Sequence, residues 1–288
     1  MSLESLMFNL TASANDRRRD AAIPLPEGVA CHCDIPYRSG LLLDVYYPEG
    51  TQAPLPTIVS IHGGGYVYGN KEIYRRYGMD LARRGFAFVN FNYRLAPKHR
   101  FPAPLEDANA VMEWICRNAA QYHLEPNKVF VVGDSAGAQL ASQYAAIVQN
   151  PDYAALFPFR TPPITIRALG LNCGRYDMAA WAAEPRKGLM LDYLGRDLPA
   201  GDPRFRVLDA IGGNYPPVFI ATACHDFLRD QAQPMYELLT ARGVSAEMRC
   251  YGSAEDKTVA HVFHVNIRLP EAVRCNDDEC SFFANFID

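Results

Sequence analysis

Short, unbroken apolar runs alternate along this chain with stretches in which apolar residues recur every three or four positions. The runs at Thr57–Ile61, Phe86–Phe91, Val129–Val132, Ile166–Cys173, Pro217–Ala223 and Ala246–Tyr251 read as strands buried on both faces. Glu72–Arg84, a segment starting at Pro104, Ala138–Ala146 and Arg229–Arg242 read as helices. In the second of these, Ala108, Val111, Met112, Ile115, Ala119 and Tyr122 fall at helical spacing, so one face is expected to be buried. Gly85 and Gly243 stand where two of the helices should stop. Val29–Ile35 and Leu41–Tyr47 predict two more strands joined by a turn at Arg38-Ser39-Gly40, and residues 270–288 predict a closing helix. This alternation predicts an α/β fold, a mostly parallel, twisted sheet of about eight strands with helices on both faces. Binding and reacting groups are then expected at the carboxyl ends of strands.

Two stretches break the alternation. Residues 1–28 are polar and mixed, and they read as an N-terminal arm to which the sequence assigns no place. Residues 175–213 are aromatic and mixed, with one helix expected over Pro185–Leu194, and they read as an inserted lid. The expected organisation is a single domain over 1–288.

Composition narrows the function. The 288 residues are 49% hydrophobic and 21% charged, with a formal net charge of −4, which gives no electrostatic case for nucleic acid or an anionic membrane. No stretch approaches the ~20 apolar residues of a membrane span, and the N-terminus lacks the basic and apolar regions of an export signal. A cytoplasmic protein is expected. Of the eight cysteines, Cys31-x-Cys33 and Cys275-x4-Cys280 come nearest to a motif, and neither has the paired spacing of a zinc site. The glycine run His62-Gly63-Gly64-Gly65 fits no phosphate-binding pattern. No metal and no cofactor are expected.

The chemistry concentrates at Gly133-Asp134-Ser135-Ala136-Gly137, a G-x-S-x-G between an apolar strand and an Ala-rich helix. That context is the one a nucleophile elbow needs: a serine on a sharp turn, flanked by residues without Cβ atoms because strand and helix pass close by. A serine hydroxyl needs a base, and the base an acid to orient it. Asp226 follows the strand ending at Ala223, and His261 follows the next strand, so the order serine, acid, histidine is satisfied. Asp230 and His264 are the rivals for the two later roles. His62-Gly63-Gly64-Gly65 follows an early strand, where consecutive glycines let backbone N–H groups turn toward an oxyanion; the N–H of Ala136 would complete such a hole. His62 itself reads as a structural hydrogen-bonder.

Together with Tyr93-Arg94-Leu95-Ala96-Pro97, Phe101-Pro102-Ala103-Pro104-Leu105-Glu106-Asp107, Asp226-Phe227-Leu228-Arg229-Asp230 and His261-Val262-Phe263, these motifs resemble the hormone-sensitive-lipase-like esterases of the α/β-hydrolase superfamily. The similarity runs from about residue 40 to 265. It implies the α/β-hydrolase fold, a triad of Ser135, Asp226 and His261, and an oxyanion hole from Gly64, Gly65 and Ala136. It implies a serine carboxylesterase that hydrolyses short-chain esters, acetyl esters among them, through an acyl-enzyme. Two other readings are similar in sequence: an arylformamidase of the kynurenine-formamidase kind, and a non-catalytic ligand-binding protein on a hydrolase fold. The expected partner is a small-molecule ester, with neither nucleic acid nor membrane, and a homodimer is the one assembly allowed for. The chain departs from the family at Val262 and Phe227, where glycine and proline are frequent, and at Ala138, where another glycine is usual.

Overall fold

A computed structural model describes residues 1–21 and 23–288. Eight strands form one sheet: β1 (Val29–Arg38), β2 (Leu41–Pro48), β3 (Leu55–Ile61), β4 (Ala87–Phe91), β5 (Leu124–Asp134), β6 (Ile166–Asn172), β7 (Val218–Ala223) and β8 (Ala246–Tyr251). Their order is β1-β2-β4-β3-β5-β6-β7-β8. Only β2 runs against its neighbours; every pair from β4 to β8 is parallel.

Among the described residues ten α-helices accompany the sheet: α1 (Leu3–Asp20), α2 (Arg75–Ala82), α3 (Ala103–Asn118), α4 (Ala136–Gln149), α5 (Pro151–Ala154), α6 (Met178–Ala183), α7 (Gly188–Leu194), α8 (Val207–Ala210), α9 (Ala232–Ala241) and α10 (Pro270–Ala284). Alternate strand residues feed two cores, as the two-residue period of a strand requires. Val59, Ile61, Val129, Val131, Leu169 and Ile220 pack on the side of α3, α4 and α9. Ile58, Phe88, Phe130, Val132, Ala168 and Phe219 pack on the side of α2 and α10. The expected eight-stranded, mostly parallel sheet is therefore present, with helices on both faces.

The helices expected at Glu72–Arg84 and Arg229–Arg242 are shorter, each behind a 3-10 turn, the short α5 and α8 were not expected, and three further elements differ. Strand β5 begins at Leu124 rather than Val129, because Leu124 and Glu125 pair with Leu55 and Pro56 before a register shift restores the ladder. The helix expected from Pro185 starts at Gly188, and a second short helix, α6, precedes it with Asp177 accepting the Ala180 amide at its N-terminus. The N-terminal arm holds an 18-residue helix, α1, that packs on α7. Only Ser5 of α1 is buried, and Leu3, Leu6, Met7 and Leu10 face solvent. No helix among the described residues is long and apolar enough to cross a membrane.

Candidate active site

Ser135 occupies the turn between β5 and α4 with φ 53° and ψ −116°, a conformation that a non-glycine residue holds only when its surroundings force it. The surroundings do. A Cβ at Gly137 would collide with the Ile61 and His62 carbonyls, and one at Gly133 with the Gly137 backbone. Strand, turn and helix thus approach as closely as the elbow reading requires. The Ser135 amide donates to the Asn172 carbonyl at the end of β6 (3.0 Å), which pins the turn to the neighbouring strand.

The strand ends bring the partners in. His225 and Ala260 form an isolated parallel bridge beyond β7 and β8, so the next residue of each loop, Asp226 and His261, emerge side by side. His261 Nε2 lies 3.0 Å from Ser135 Oγ, and His261 Nδ1 lies 2.6 Å from Asp226 Oδ1. Asp226 also accepts hydrogen bonds from the Thr222 hydroxyl (2.9 Å) and the Leu228 amide (2.9 Å). Burial pushes its carboxyl upward, but His261, the Leu228 amide and Thr222 outweigh that and hold it below the ordinary carboxylate range. A base aligned on a hydroxyl and oriented by an ionised carboxylate can take a proton from that hydroxyl as it attacks a carbonyl carbon.

The rivals stand elsewhere. Asp230 is exposed in the single 3-10 turn ahead of α9. His264 is fully buried edge-on to Tyr77, and burial, with the neighbouring His261, pushes its pKa down to about 3. It is a neutral core imidazole. His62 is equally buried, stacked on Tyr93 (ring centroids 4.1 Å apart), with its pKa pushed down to about 4 by burial. Its ring Nδ1 lies 2.8 Å from the Gly63 carbonyl.

The glycine loop is anchored by Asp134 of the elbow, by Tyr93, and by Tyr74, which the sequence did not single out. Asp134 is buried beneath it and accepts hydrogen bonds from the Tyr74 hydroxyl (2.8 Å) and the Gly63 amide (3.2 Å). The Gly63 amide also donates to the Tyr74 oxygen (3.1 Å), and the Tyr93 hydroxyl to the His62 carbonyl (2.9 Å). Burial pushes the Asp134 carboxyl up to about 6 against these bonds. Gly64 has φ 113°, and a Cβ there would strike the Tyr68 carbonyl, so the loop requires glycine at this point.

Ser135, His261, Gly64, Gly65 and Ala136 line one cavity of about 610 Å³, within the usual range for small-molecule sites. Its other walls come from Phe8, Thr11, Ala12 and Asn15 of α1, from Arg175, Trp181 and Leu189, and from Phe227. Phe227 is exposed, with its ring 4.1 Å from the His261 ring, and Val262 sits at φ 61° with its amide donating to Cys173 Sγ (3.4 Å). These are the two departures noted beside the acid and the histidine, and both touch the site. Of the four aromatics at 175–213, Tyr176, Tyr193 and Phe205 are core residues and Trp181 faces the cavity. Ligand atoms of Cys173, Asp226 and His261 lie within 4.8 Å of one another. Here the carboxylate and imidazole already engage each other, and the thiol accepts the Val262 amide, so the trio forms part of the hydrogen-bonded site.

Known proteins share this arrangement of elements. A family model described as alpha/beta hydrolase fold matches residues 58–265. The carboxylesterase NlhH of Mycobacterium tuberculosis is 31% identical over 246 residues, which cover 82% of this chain and 73% of that protein. The acetyl esterase of Salmonella paratyphi A is 27% identical over 264 residues, covering 86% and 75% respectively. Among solved structures, esterase B from Lactobacillus rhamnosis superposes with a TM-score of 0.87 at 26% identity, covering 98% of this chain and 93% of that one. The hyperthermophilic esterase from the archaeon Pyrobaculum calidifontis superposes with a TM-score of 0.74 at 26% identity, covering 99% and 91%.

Proposed function

The chain belongs to the alpha/beta hydrolase fold family, in its hormone-sensitive-lipase-like branch, and we propose that it is a serine carboxylesterase acting on short-chain esters. One observation carries the reading: the unbroken relay from Ser135 Oγ through His261 to Asp226, with contacts of 3.0 and 2.6 Å, facing a cavity of small-molecule size. In this reading Ser135 attacks the ester carbonyl while His261 takes its proton. The N–H groups of Gly64, Gly65 and Ala136 receive the oxyanion, and His261 returns the proton to the departing alcohol. Water then repeats the sequence on the acyl-enzyme. Asp226 keeps the imidazole oriented and balances its transient charge.

Residues 175–213 and helix α1 act together as the cover of a single domain in this reading, since both line the cavity above the strand ends. The eight cysteines are free thiols, which suits a cytoplasmic setting. The test is hydrolysis of p-nitrophenyl acetate, butyrate and octanoate by the wild type and by Ser135→Ala. Turnover that falls away on acidification, and that disappears in the variant, is the expected result. A wild type inert on all three esters but active on N-formylkynurenine would move the reading to an amidase.

A further inference from the structure

Arg175 lines the same cavity as Ser135, Gly64, Gly65 and His261. It stands three residues beyond Asn172, whose carbonyl holds the Ser135 amide, so one strand end positions both the nucleophile and this guanidinium. Its guanidinium carbon lies 4.5 Å from the centre of the Trp181 ring, a cation–π contact that leaves the N–H edge to other partners.

That edge is poorly used within the chain. The buried Nε has no hydrogen-bond partner. Among the described residues the ion-pair partner is Glu184, at one 3.5 Å contact, and that carboxylate is 62% exposed. A single long contact to a solvated acid contributes little. The contrast with Arg19, the other arginine of the cavity wall, is direct. Arg19 donates to Asp20, to Asp16 and to the Ile73 carbonyl through four hydrogen bonds. The cavity's acids are likewise engaged: Asp16 by Arg19 and Tyr68, Asp134 by Tyr74 and Gly63. What remains on the wall of the chamber where an ester must sit is one guanidinium whose charge meets only that weak, solvated contact. Planar forks match carboxylates.

We propose that the substrate is an ester carrying a carboxylate of its own, and that Arg175 binds that carboxylate and so determines specificity. This rests on the esterase reading above and narrows it. A hemi-ester of a dicarboxylic acid, or an acylated hydroxy acid, is the class described. The neutral remainder of the substrate lies against the apolar walls supplied by Trp181, Leu189 and Phe8.

The experiment compares esters matched in length and differing in charge. Monomethyl succinate, glutarate and adipate are set against methyl butyrate, valerate and hexanoate, and 4-acetoxybutanoate against butyl acetate, with acid release followed by pH-stat. The expected result is that kcat/KM favours the anionic member in at least one pair. Arg175→Met should then lower kcat/KM for that anion by about tenfold to a hundredfold, the effect of one hydrogen bond to a charged group, and that for its neutral mate by less than about threefold. Arg175→Lys should recover part of the loss, because it keeps the charge without the fork. The neutral member also reports whether each variant is folded. Preference for the neutral ester in every pair overturns the proposal and leaves the esterase reading standing. An equal loss on both members in Arg175→Met also overturns it, since that marks an arginine that only supports Trp181. If the wild type hydrolyses no ester at all, both readings fall together.

Discussion

Two regions enclose the cavity, and they are held in place by different forces. The glycine loop, Ser135, Asp226 and His261 follow the ends of β3, β5, β7 and β8, four strands of one parallel run that β6 completes, and apart from β8 these strands are mostly buried. Their polar neighbours Asp134, Asn172 and Thr222 are buried too, each hydrogen-bonded within the site or to its support. The covering helix α1 buries a single residue. It is tied down mainly by separate polar contacts: Ser2 amide to Asp192, Asn9 to the Val67 carbonyl, Tyr68 hydroxyl to Asp16, and Arg19 to the Ile73 carbonyl. An interior strand end cannot shift without breaking ladders on both sides, and β8 at the edge is held by its ladder to β7, whereas a helix held by such contacts can open at low cost. The lower region fixes atoms to fractions of an ångström, as chemistry needs. In the reading proposed above, the upper region decides what is admitted.

The largest test of that division is Ser135→Ala. If the reacting groups all belong to the lower region, kcat falls by about four to six orders of magnitude with the fold intact, measured on p-nitrophenyl acetate with a parallel thermal melt. Next comes the stability of the support itself. Glu279 of α10 is buried beneath β6, accepting hydrogen bonds from Asn172 (2.9 Å) and Tyr77 (3.2 Å), and burial pushes its pKa from 4.5 up to about 7. The folded chain therefore keeps a proton between pH 4.5 and 7 that the unfolded chain has released. Stability falls as pH rises through that window, and the full penalty applies above it. Glu279→Gln removes the ionisation, so it should be more stable than wild type at pH 8 by about 3 kcal/mol and nearly equal at pH 4.5. Urea unfolding at the two pH values checks this. A variant less stable at both would show that the carboxylate is compensated after all.

The same division governs how much could be read from sequence. The strands are legible because unbroken apolar runs bounded by glycine and proline have few other uses, and the elbow is legible because glycine flanks a serine between a strand and a helix. Strand context, chain order and the resemblance favoured Asp226 over Asp230 and His261 over His264, but what sets the two side by side is the His225–Ala260 bridge, a pairing between loops 35 residues apart that no local pattern encodes. The β5 start was missed for a related reason: Leu124 is a strand residue only because Leu55 lies beside it. The upper region was the least legible. In α1 the apolar side chains Leu3, Leu6, Met7 and Leu10 face solvent while Phe8 faces the cavity, so its pattern does not announce which side is inside. Tyr74 carries no motif, Asp134 stands in the elbow only as its variable position, and their role under the glycine loop follows from tertiary contact alone.

A finer test lies within the lower region. Tyr74 bridges Asp134 and the Gly63 amide, and its phenol is pushed far above the ordinary range by burial and by the Asp134 charge, so it stays a donor. Tyr74→Phe keeps the packing and removes the bridge. Loosening the loop should cost about tenfold in kcat, one hydrogen bond to a charged group, with KM little changed. Equal losses on p-nitrophenyl acetate and octanoate would place the effect on the oxyanion loop. A loss confined to the longer ester would instead make Tyr74 part of the upper region's sieve.

The smallest effect is the one that most sharpens the comparison. Phe8 projects from α1 into the cavity wall and meets Tyr68 edge-on, with ring centroids 6.3 Å apart. Phe8→Ala removes contact area from the substrate chamber and from a half-exposed packing site, so the fold should lose only about 1 kcal/mol. If the upper region selects and does not react, kcat on p-nitrophenyl acetate changes by less than about threefold, because the acetyl group engages only the strand ends. On the octanoate, whose chain reaches the wall, the wider chamber changes KM by about three- to tenfold. The informative quantity is the ratio of the two effects. A large drop on acetate would mean that α1 holds the serine or the glycine loop in place, and the division between a rigid reacting region and a tolerant admitting one would have to be given up.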